Sequence, residues 1–296
     1  MATGSIPSAI TVDPTAHYAY VVNTGDFTVS QYTIGISGAL TPMSPATVAA
    51  GFEPASITVD PTGRYAYVTN PGAGVVLQYT IGSGGALSPM SPATVPAGVG
   101  PQSITVDFTG HYVYVANGND NTVSQYVIGP GGLLVPMSPA TVAAGLTPYF
   151  VTVHPTGRYA YVANANENTI SQYSIGLGGG LIPMSPATVA VPPGNPQSVT
   201  IDSTGQTAYV TSPSQNVVLL CAIGTGGALA FTGRVTATGD TPTSFTIDVM
   251  GHFAYVANQG DNTISQYIIG PGGVLTPLSI ATVRSGSRPF SITTAY

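Results

Sequence analysis

Short runs of alternating apolar and polar residues dominate the chain and recur in a fixed order. In residues 56–60, SITVD, isoleucine and valine alternate with serine, threonine and aspartate, which is the period-two pattern of a strand. Residues 65–70, YAYVTN, follow the turn residues PTGR, and residues 75–81, VVLQYTI, give a third run. A fourth run, SPATVPA at residues 91–97, follows a glycine-rich connection and is bounded by proline, as in a short edge strand. This order predicts four strands and no helix.

The four-strand unit returns along the whole chain with a period of about 47 residues. The proline that opens the unit at Pro54 has equivalents at Pro7, Pro101, Pro148, Pro196 and Pro242. We therefore expect a single domain over residues 1–296. Its six complete repeats are 7–53, 54–100, 101–147, 148–195, 196–241 and 242–288. Residues 289–296, PFSITTAY, restart the unit and supply one surplus first strand.

Many short strands, glycine-rich turns and a repeat of this length are typical of a β-propeller with one four-stranded blade per repeat. The sequence thus predicts an all-β propeller of six blades plus one extra strand. A seven-bladed propeller with an incomplete or partner-completed blade is the alternative. One aromatic position per repeat should pack between blades with its hydroxyl hydrogen-bonded. The tyrosines at this position are Tyr20, Tyr67, Tyr114, Tyr161, Tyr209 and Tyr255.

Charged residues are scarce, and this limits the classes of partner. Only 5% of the residues are charged, the five basic residues are all arginine, and the net charge is -6. Nucleic acid requires clustered basic residues, and anionic membranes attract basic amphipathic helices. We therefore expect neither nucleic-acid binding nor membrane insertion. No signal peptide is visible at the N-terminus, and no apolar run approaches the length of a membrane-spanning helix.

Cys221 is the only cysteine, so the sequence allows no internal disulfide and no site with several cysteine ligands. It stands in the third strand of the fifth repeat, where the other repeats have tyrosine. We expect it to be a small core residue and not a nucleophile. The chain contains no G-x-S-x-G elbow, P-loop or H-E-x-x-H motif, and no metal or cofactor is predicted.

A Tyr-Val-x-Asn tetrapeptide marks the second strand of five repeats. It reads YVVN at residues 20–23, YVTN at 67–70, and YVAN at 114–117, 161–164 and 255–258. With the preceding SITVD-type strand, it resembles the YVTN repeats of bacterial and archaeal surface proteins and the related lactonase-like propellers of the 6-phosphogluconolactonase type. The resemblance covers nearly the whole chain. It implies a propeller of usually seven blades, an extracellular or cell-surface location and, for the lactonase branch, hydrolysis of a sugar lactone.

Positions at which the repeats differ are the best candidates for a site. In propellers of this kind the connection into each first strand lies on one face near the axis, so its variable side chains should gather at one mouth of the channel. The candidate ligand-binding residues there are Phe52, Glu53, Tyr149, Phe150, Asp240, Arg288 and Phe290. Such a mixed aromatic, acidic and basic rim suits a small polar ligand or a peptide. The alternative interpretation is drift in a solvated loop.

The turn after each first strand carries a second group, which should surround the opposite face. These opposite-face candidates are His17, Arg64, His111, Arg158 and His252. Turns from separate blades are too far apart for their histidines to share a metal, so solvated turn residues are the preferred interpretation. A third set directly precedes the same turn and is expected to bind its backbone amides. Its members are Asp13, Asp60, Asp107, Asp202 and Asp248, with His154 in the fourth repeat.

No repeat carries its own cluster of histidine, arginine and carboxylate. The sequence therefore favours a non-catalytic surface or secreted propeller that serves as a binding scaffold for a protein, a glycan or a small polar ligand. A lactonase-like hydrolase that acts on a sugar lactone is the first alternative. A self-assembling structural protein that associates through residues 289–296 is the second.

Overall fold

A computed structural model describes residues 3–192 and 194–295, and this part of the chain forms strands and two short 3₁₀ turns. Its strands build six four-stranded antiparallel sheets, in which strands that follow each other along the chain are hydrogen-bonded neighbours. The predicted all-β fold of six four-stranded blades is confirmed. Two compact units hold three blades each, the first up to residue 143 together with Ala295, and the second over residues 144–294. A single domain over residues 1–296 stays a prediction.

The first unit contains blades one to three. Blade one consists of β1 (Pro7–Val12), β2 (Tyr18–Asn23), β3 (Thr28–Ile34) and β4 (Leu40–Ala49). Blade two consists of β5 (Ile57–Val59), β6 (Tyr65–Asn70), β7 (Val75–Ile81) and β8 (Leu87–Pro96). Blade three consists of β9 (Pro101–Val106), β10 (Tyr112–Asn117), β11 (Thr122–Ile128) and β12 (Leu134–Ala143), with a 3₁₀ turn at Pro130–Gly132.

The second unit contains blades four to six. Blade four consists of β13 (Pro148–Val153), β14 (Tyr159–Asn164), β15 (Thr169–Ile175) and β16 (Leu181–Ala190). Blade five consists of β17 (Ser198–Ile201), β18 (Thr207–Ser212), β19 (Val217–Ile223) and β20 (Leu229–Ala237). Blade six consists of β21 (Pro242–Ile247), β22 (Phe253–Asn258), β23 (Thr263–Ile269) and β24 (Leu275–Arg284), with a 3₁₀ turn at Pro271–Gly273.

The aspartate that follows the first strand in five of the six blades caps the next turn, as predicted. Asp13 Oδ1 accepts the backbone N–H groups of His17 at 2.8 Å and Tyr18 at 2.6 Å, and its Oδ2 accepts that of Thr15 at 3.0 Å. These bonds satisfy amides that the tight turn leaves without a strand partner. Asp248 caps its turn in the same way. Desolvation raises the pKa of Asp248, but the N–H groups of Phe253, His252 and Met250 outweigh it and hold that pKa below its ordinary value.

The core lies between successive blades. Within the second unit, Tyr161 and Ile170 of blade four pack against Val199 and Leu219 of blade five, and all four side chains are buried. Cys221 belongs to the same buried cluster, as predicted for a small core residue. In the first unit, corresponding clusters join blade one to blade two and blade two to blade three. Each blade therefore depends on a neighbouring blade to bury its apolar faces.

The tyrosines that recur in the second strands also join the blades by hydrogen bonds. The Tyr20 hydroxyl donates to the carbonyl of Gly85 at 2.6 Å, and the Tyr161 hydroxyl donates to that of Gly227 at 2.6 Å. In both cases the acceptor lies in the connection between the third and fourth strands of the next blade. The prediction that these hydroxyls are hydrogen-bonded between blades is confirmed for the pairs within each unit.

The surplus segment lies beside the first strand of blade six. The Thr243 hydroxyl donates to the Phe290 carbonyl at 2.8 Å, and the Thr294 hydroxyl donates to the Ile247 carbonyl at 2.8 Å. The N–H of Ile292 donates to the Ser244 hydroxyl at 3.3 Å. Residues 289–294 thus run along β21 through side-chain contacts without joining a strand ladder of the described structure.

Candidate functional site

The turn between β22 and β23 binds the backbone of two of the sequence-predicted mouth residues. Asp261 Oδ2 accepts the backbone N–H of Asp240 at 3.1 Å, and Asn262 Oδ1 accepts the backbone N–H of Arg288 at 2.7 Å. Because Asp261 and Asn262 are consecutive, their Cα atoms are about 3.8 Å apart. The loop that enters β21 and the loop that enters residues 289–294 therefore begin side by side.

The carboxylate of Asp240 keeps most of its hydrogen-bonding capacity. The side chain is exposed, and its only hydrogen bond to the described residues comes from the Thr241 hydroxyl, at 3.4 Å. Its Oδ2 lies over Gly260, where a Cβ atom would collide with it, and the Gly260 N–H donates to the Asp240 carbonyl at 2.9 Å. Glycine at position 260 thus leaves the space that this carboxylate occupies.

Arg288 presents an exposed guanidinium from a left-handed backbone, with φ of +52°. Among the described residues, nothing forms an ion pair or hydrogen bond with this guanidinium. The left-handed conformation itself belongs to the repeat, because the residue before the opening proline adopts it in every copy. These residues are Ile6, Glu53, Gly100, Thr147, Asn195, Thr241 and Arg288. Only one of the seven is glycine, so at the other six the left-handed backbone has a free-energy cost.

An asparagine brace holds three of these loops in the second unit, those at Asn195, Thr241 and Arg288. Asn168 Oδ1 accepts the N–H of Asn195 at 2.6 Å, and Asn216 Oδ1 accepts the N–H of Thr241 at 2.9 Å. Asn262 does the same for Arg288, and all three bracing asparagines have φ between +57° and +60°. Asparagine tolerates the left-handed region and offers a short amide, so it suits this position. The loop into the surplus segment is therefore fixed by the same device as the loops into β17 and β21.

The Tyr-Val-x-Asn motif is structural in this fold. The Asn258 amide donates to the Thr263 hydroxyl at 2.9 Å and to the Ser265 hydroxyl at 2.8 Å. The Ser265 hydroxyl in turn accepts the backbone N–H of Gly239 at 3.2 Å. The motif thus ties the hairpin of β22 and β23 to the loop that carries Asp240.

A row of repeat-specific side chains follows the opening prolines of the second unit. Its members are Tyr149, Gln197, Thr243 and Phe290. The Gln197 Oε1 atom is buried and has no hydrogen-bond partner among the described residues. Desolvation by burial raises the pKa of the half-buried Tyr149. The Thr243 hydroxyl bonds the Phe290 carbonyl, so the row continues onto the surplus segment.

The other predicted mouth residues have different surroundings. Phe52 and Glu53 are exposed on the first-unit loop before β5, where the Phe52 ring lies 5.0 Å from the Phe27 ring between centroids. Phe27 is left-handed and occupies the position that the bracing asparagines hold in the second unit. Phe150 packs against the buried cluster between blades four and five, so its main contacts are in the core. Its proposed role in ligand binding stays a prediction.

The opposite-face candidates lie in the turns between first and second strands, and each makes local contacts. His17 Nδ1 is hydrogen-bonded to the Thr15 hydroxyl at 2.8 Å, and His111 Nδ1 to the Thr109 hydroxyl at 2.9 Å. The Arg64 Nε–H donates to the Thr62 hydroxyl at 3.2 Å, and its guanidinium lies 5.4 Å from the Tyr65 ring centroid. Arg158 and His252 are exposed. These contacts are those of solvated turn residues.

His154 has both ring nitrogens engaged in structural bonds. Nδ1 accepts the backbone N–H of Thr156 at 3.1 Å, and Nε2 lies 2.9 Å from the Gly205 carbonyl, to which it must donate. The side chain is only 5% exposed. His154 therefore replaces the turn-capping aspartate and joins blades four and five, with no nitrogen left for proton transfer.

Sequence reasoning missed Asp261, Asn262 and Gln197. The first two belong to ordinary hairpin turns in every repeat, and their contacts with residues 21 and 26 positions away appear only in the folded chain. Gln197 gave only a weak signal, because the same position holds serine, alanine or threonine in three other copies but glutamine again in the third, Gln102. In the described residues, no group of three or more histidine, cysteine, aspartate or glutamate side chains is arranged to hold a metal. No helix there is long and apolar enough to cross a membrane.

The chain is similar to several solved propellers. A candidate 6-phosphogluconolactonase from Bacteroides fragilis is 21% identical with a TM-score of 0.85, over 98% of this chain and 87% of the other. A second from Bacteroides uniformis is 18% identical with a TM-score of 0.85, over 98% and 88%. The periplasmic gluconolactonase PpgL of Pseudomonas aeruginosa is 21% identical with a TM-score of 0.82, over 98% and 88%. No curated protein matches the sequence.

The sequence family described as "Lactonase, 7-bladed beta-propeller" matches residues 1–286. This finding overturns the preference for a non-catalytic scaffold and favours the lactonase alternative. The preference was wrong because it relied on features that the repeats share, and such features report on the propeller architecture more than on activity. The match to almost the full length, together with the resemblance in the Tyr-Val-x-Asn motif, shows that the chain belongs to the lactonase family of seven-bladed β-propellers.

Proposed function

We propose that this protein is a lactone hydrolase that opens the ring of a sugar lactone. The observation that carries the proposal is membership of the lactonase family over residues 1–286. The names of two kinds of structural neighbour, 6-phosphogluconolactonase and gluconolactonase, suggest the same substrate class. An exposed carboxylate and an exposed guanidinium, on two loops whose backbones are bound by the same turn, are compatible with this chemistry.

Asp240 is the proposed general base. Hydrolysis begins when water attacks the lactone carbonyl carbon, and a carboxylate near that water accepts its proton. The Asp240 carboxylate is suited to this role because its Oδ2 has no hydrogen-bond partner among the described residues and because Gly260 leaves room around it. The tetrahedral intermediate then collapses, the ring C–O bond breaks, and the proton passes to the departing ring oxygen.

Arg288 is the proposed electrophilic group. Its guanidinium stabilises the negative charge that develops on the carbonyl oxygen as water adds. The short bond from the Arg288 N–H to Asn262 fixes the start of this loop, so less reorganisation is needed when the substrate binds. A phosphate on the sugar is a second anion that the same side chain can bind.

The row beyond the opening prolines is proposed to hold the sugar. The half-buried Gln197 side chain can rotate to bring its partnerless Oε1 to a sugar hydroxyl, which removes the cost of a buried unpaired oxygen. The rings of Tyr149 and Phe290 offer apolar surface to the C–H faces of the ring. Both rings are half-buried, so they combine accessibility with support from the fold.

The test is turnover of a panel of γ- and δ-lactones of sugars, with and without a 6-phosphate, followed as proton release above spontaneous hydrolysis. Asp240→Asn should lower kcat at least a hundredfold. Arg288→Gly should also lower kcat/KM at least a hundredfold. Glycine accepts the left-handed backbone without strain, so this variant should fold at least as well as the parent.

Arg234→Leu is the matched control, because Arg234 is exposed on the outer strand β20. It should leave turnover unchanged. Absence of turnover for every lactone would overturn the proposed function. Turnover that survives both Asp240→Asn and Arg288→Gly would keep the function and remove these two residues from the mechanism.

A further inference from the structure

One residue in the hairpin between the second and third strands has a left-handed backbone in every blade. In blades two to six it is glycine or asparagine, with φ between +57° and +65°: Gly74, Asn121, Asn168, Asn216 and Asn262. These two residue types adopt the left-handed region most readily. In blade one the residue is Phe27, with φ of +58°. A bulky side chain makes this conformation unfavourable, so phenylalanine here reduces the stability of the hairpin.

The Phe27 ring does not recover this cost by burial, because the residue is 40% exposed. Its backbone contact does not need phenylalanine either. The Phe27 carbonyl accepts the Ala50 N–H at 2.8 Å, and the Asn262 carbonyl accepts the equivalent N–H of Ser285 at 3.0 Å. What phenylalanine adds to the hairpin is therefore an exposed ring. An unfavourable backbone that serves an exposed side chain is a candidate for a functional role.

A second exposed ring, that of Phe52, lies against the first. The two ring centroids are 5.0 Å apart, the planes are tilted by 48°, and Phe52 is 56% exposed. The Phe52 ring also lies over Gly72 of the next hairpin, where a Cβ atom would be 2.5 Å from the Phe52 Cδ1. Glycine at position 72 therefore leaves the space that this ring occupies. Phe27 and Phe52 are called the aromatic pair below.

Glu53 brings a carboxylate to the same loop. It directly follows Phe52, so the two Cα atoms are about 3.8 Å apart. Glu53 is exposed, and its left-handed backbone has φ of +55°. Among the described residues, none forms a hydrogen bond or an ion pair with the Glu53 carboxylate. This carboxylate is therefore available to a ligand that lies on the aromatic pair.

The first unit carries far more negative than positive charge. Up to residue 143 it has one arginine, Arg64, and no lysine. Its carboxylates are Asp13, Asp26, Glu53, Asp60, Asp107 and Asp120. Residues 144–294 of the second unit are nearly balanced, with four arginines and five carboxylates. The electrostatic potential of the first unit thus attracts cations and repels phosphate and other anions.

We propose that the aromatic pair and Glu53 form a binding site for an organic cation that carries a quaternary ammonium group. The face of an aromatic ring attracts a cation, and the methyl groups of a quaternary ammonium pack on the ring carbons. Such a cation has no N–H group, so it needs no hydrogen-bond acceptor from a phenylalanine. Glu53 supplies the opposite charge. The proposal goes beyond the proposed lactonase function, whose named residues all lie in the second unit.

Other ligands fit these observations less well. Two rings offer far less area than a stable protein interface buries, so a protein partner is not favoured. A neutral sugar can pack on the rings but gains nothing from the acidic charge of the first unit. An anion is repelled by Glu53.

The probe is choline, and its binding to the full chain is measured by titration followed by nuclear magnetic resonance. The matched ligand is 3,3-dimethyl-1-butanol, in which a neutral carbon replaces the nitrogen and the shape is kept. We expect choline to bind and the neutral ligand to bind at least about fivefold more weakly, because it lacks the cation–π and ionic attractions.

Three variants test the named residues. Phe52→Leu and Glu53→Gln should each weaken choline binding about fivefold. Phe27→Asn should also weaken it about fivefold and should raise Tm by about 2 °C, because asparagine is native at the equivalent position of four blades and tolerates the left-handed backbone. Phe108→Leu is the control, because Phe108 is another exposed phenylalanine of the first unit, in the turn between β9 and β10. It should leave choline affinity unchanged.

Four results would overturn the proposal. The first is absence of choline binding, and the second is equal affinity for choline and its neutral isostere. The third is choline binding that Phe27→Asn, Phe52→Leu and Glu53→Gln leave unaltered. The fourth is a lower Tm of Phe27→Asn, which would show that the phenylalanine stabilises the hairpin and is not retained for a ligand.

Discussion

The Tyr209 hydroxyl donates a hydrogen bond to the Gly273 carbonyl at 2.9 Å, and this bond joins blade five to blade six. The ring of Phe245 in blade six stacks on the Tyr209 ring, with centroids 4.7 Å apart and planes 13° apart. Tyr209 is completely buried, and desolvation by burial raises the pKa of its hydroxyl above the ordinary value. One side chain thus supplies both a polar and an aromatic contact between neighbouring blades.

Tyr209→Phe should lower the free energy of unfolding by about 1–3 kcal/mol. The ring contacts remain, but the Gly273 carbonyl is left buried without a partner. Urea unfolding followed by circular dichroism measures the change. Tyr18→Phe is the control, because the Tyr18 hydroxyl donates to the Ser83 carbonyl at an exposed site. It should cost less than about 0.5 kcal/mol. Equal effects of the two variants would show that burial of the acceptor is not the cause.

His154→Ala should destabilise the fold and leave the activity of folded molecules unchanged. Alanine removes the bond to the Gly205 carbonyl and the cap of the turn, with an expected cost of about 1–3 kcal/mol. His154→Asp should cost less, because aspartate caps the same turn in five other repeats. Unfolding free energies and lactone turnover are measured on all three proteins. A loss of kcat that exceeds the loss of folded protein would return His154 to the candidate catalytic residues.

The Cys221 thiol should react with a disulfide reagent only when the protein unfolds. The side chain is 0% exposed, and burial raises the pKa of the thiol to about 12. The thiolate is the reactive form, so both access and ionisation oppose reaction at neutral pH. Absorbance of the released chromophore, with and without guanidinium, measures the difference. Prompt reaction of the native protein would contradict the buried position.

Asn262→Ala should lower kcat/KM about tenfold by releasing the loop that carries Arg288. The variant removes the 2.7 Å bond to the Arg288 N–H and leaves the guanidinium itself in place. Asp26→Ala is the control, because Asp26 Oδ2 accepts the Ser5 N–H at 2.6 Å in the loop before β1, which has no proposed role in binding or catalysis. Both variants should lose similar stability, since each removes one hydrogen bond between a hairpin turn and a loop that precedes a first strand. Equal activity of the two variants would show that the brace does not position Arg288.

The repeating part of the fold could be predicted from the sequence because its causes are local or periodic. Alternation between apolar and polar residues determined the strands, and the prolines and glycines located the turns. The interblade place of Tyr161 followed from its position in the repeat, and its hydroxyl bond to Gly227 confirms it. Such features can be predicted without knowing which distant residues come into contact.

The candidate site depends on contacts between distant loops, and the sequence repeat does not predict which loops meet. Phe150 was predicted at the mouth from its loop position, and its packing against the core cluster between blades four and five could be seen only in the fold. Asp240 and Arg288 are 48 positions apart in the sequence, and only the fold assigns both loops to the turn at Asp261 and Asn262. The function was misjudged because the features that the repeats share report on architecture more than on activity.

The free energy of unfolding should fall steeply above pH 10 because buried tyrosines hold their protons. Burial raises the pKa of Tyr126 and Tyr173 to about 12, although hydrogen bonds with Ser124 and Ser171 lower it in part. Tyrosines in the unfolded chain lose their protons near pH 10, so above that pH the unfolded state binds fewer protons than the native state. Each buried tyrosine then lowers the free energy of unfolding by up to about 1.4 kcal/mol per pH unit. The stability that it provides is complete below pH 10 and is lost as the pH rises through about 12.

Tyrosinate absorbance and circular dichroism, recorded across the same alkaline titration, test this dependence. The exposed tyrosines should ionise near pH 10 with the fold intact, and the buried ones should ionise together with the loss of sheet structure. A titration in denaturant should show all 17 tyrosines ionising in one transition near pH 10. If the native protein gave that same single transition while keeping its circular dichroism, the interblade tyrosines would be solvated. The hydrogen bonds from Tyr20, Tyr67, Tyr161 and Tyr209 to the next blade could not then hold the blades together.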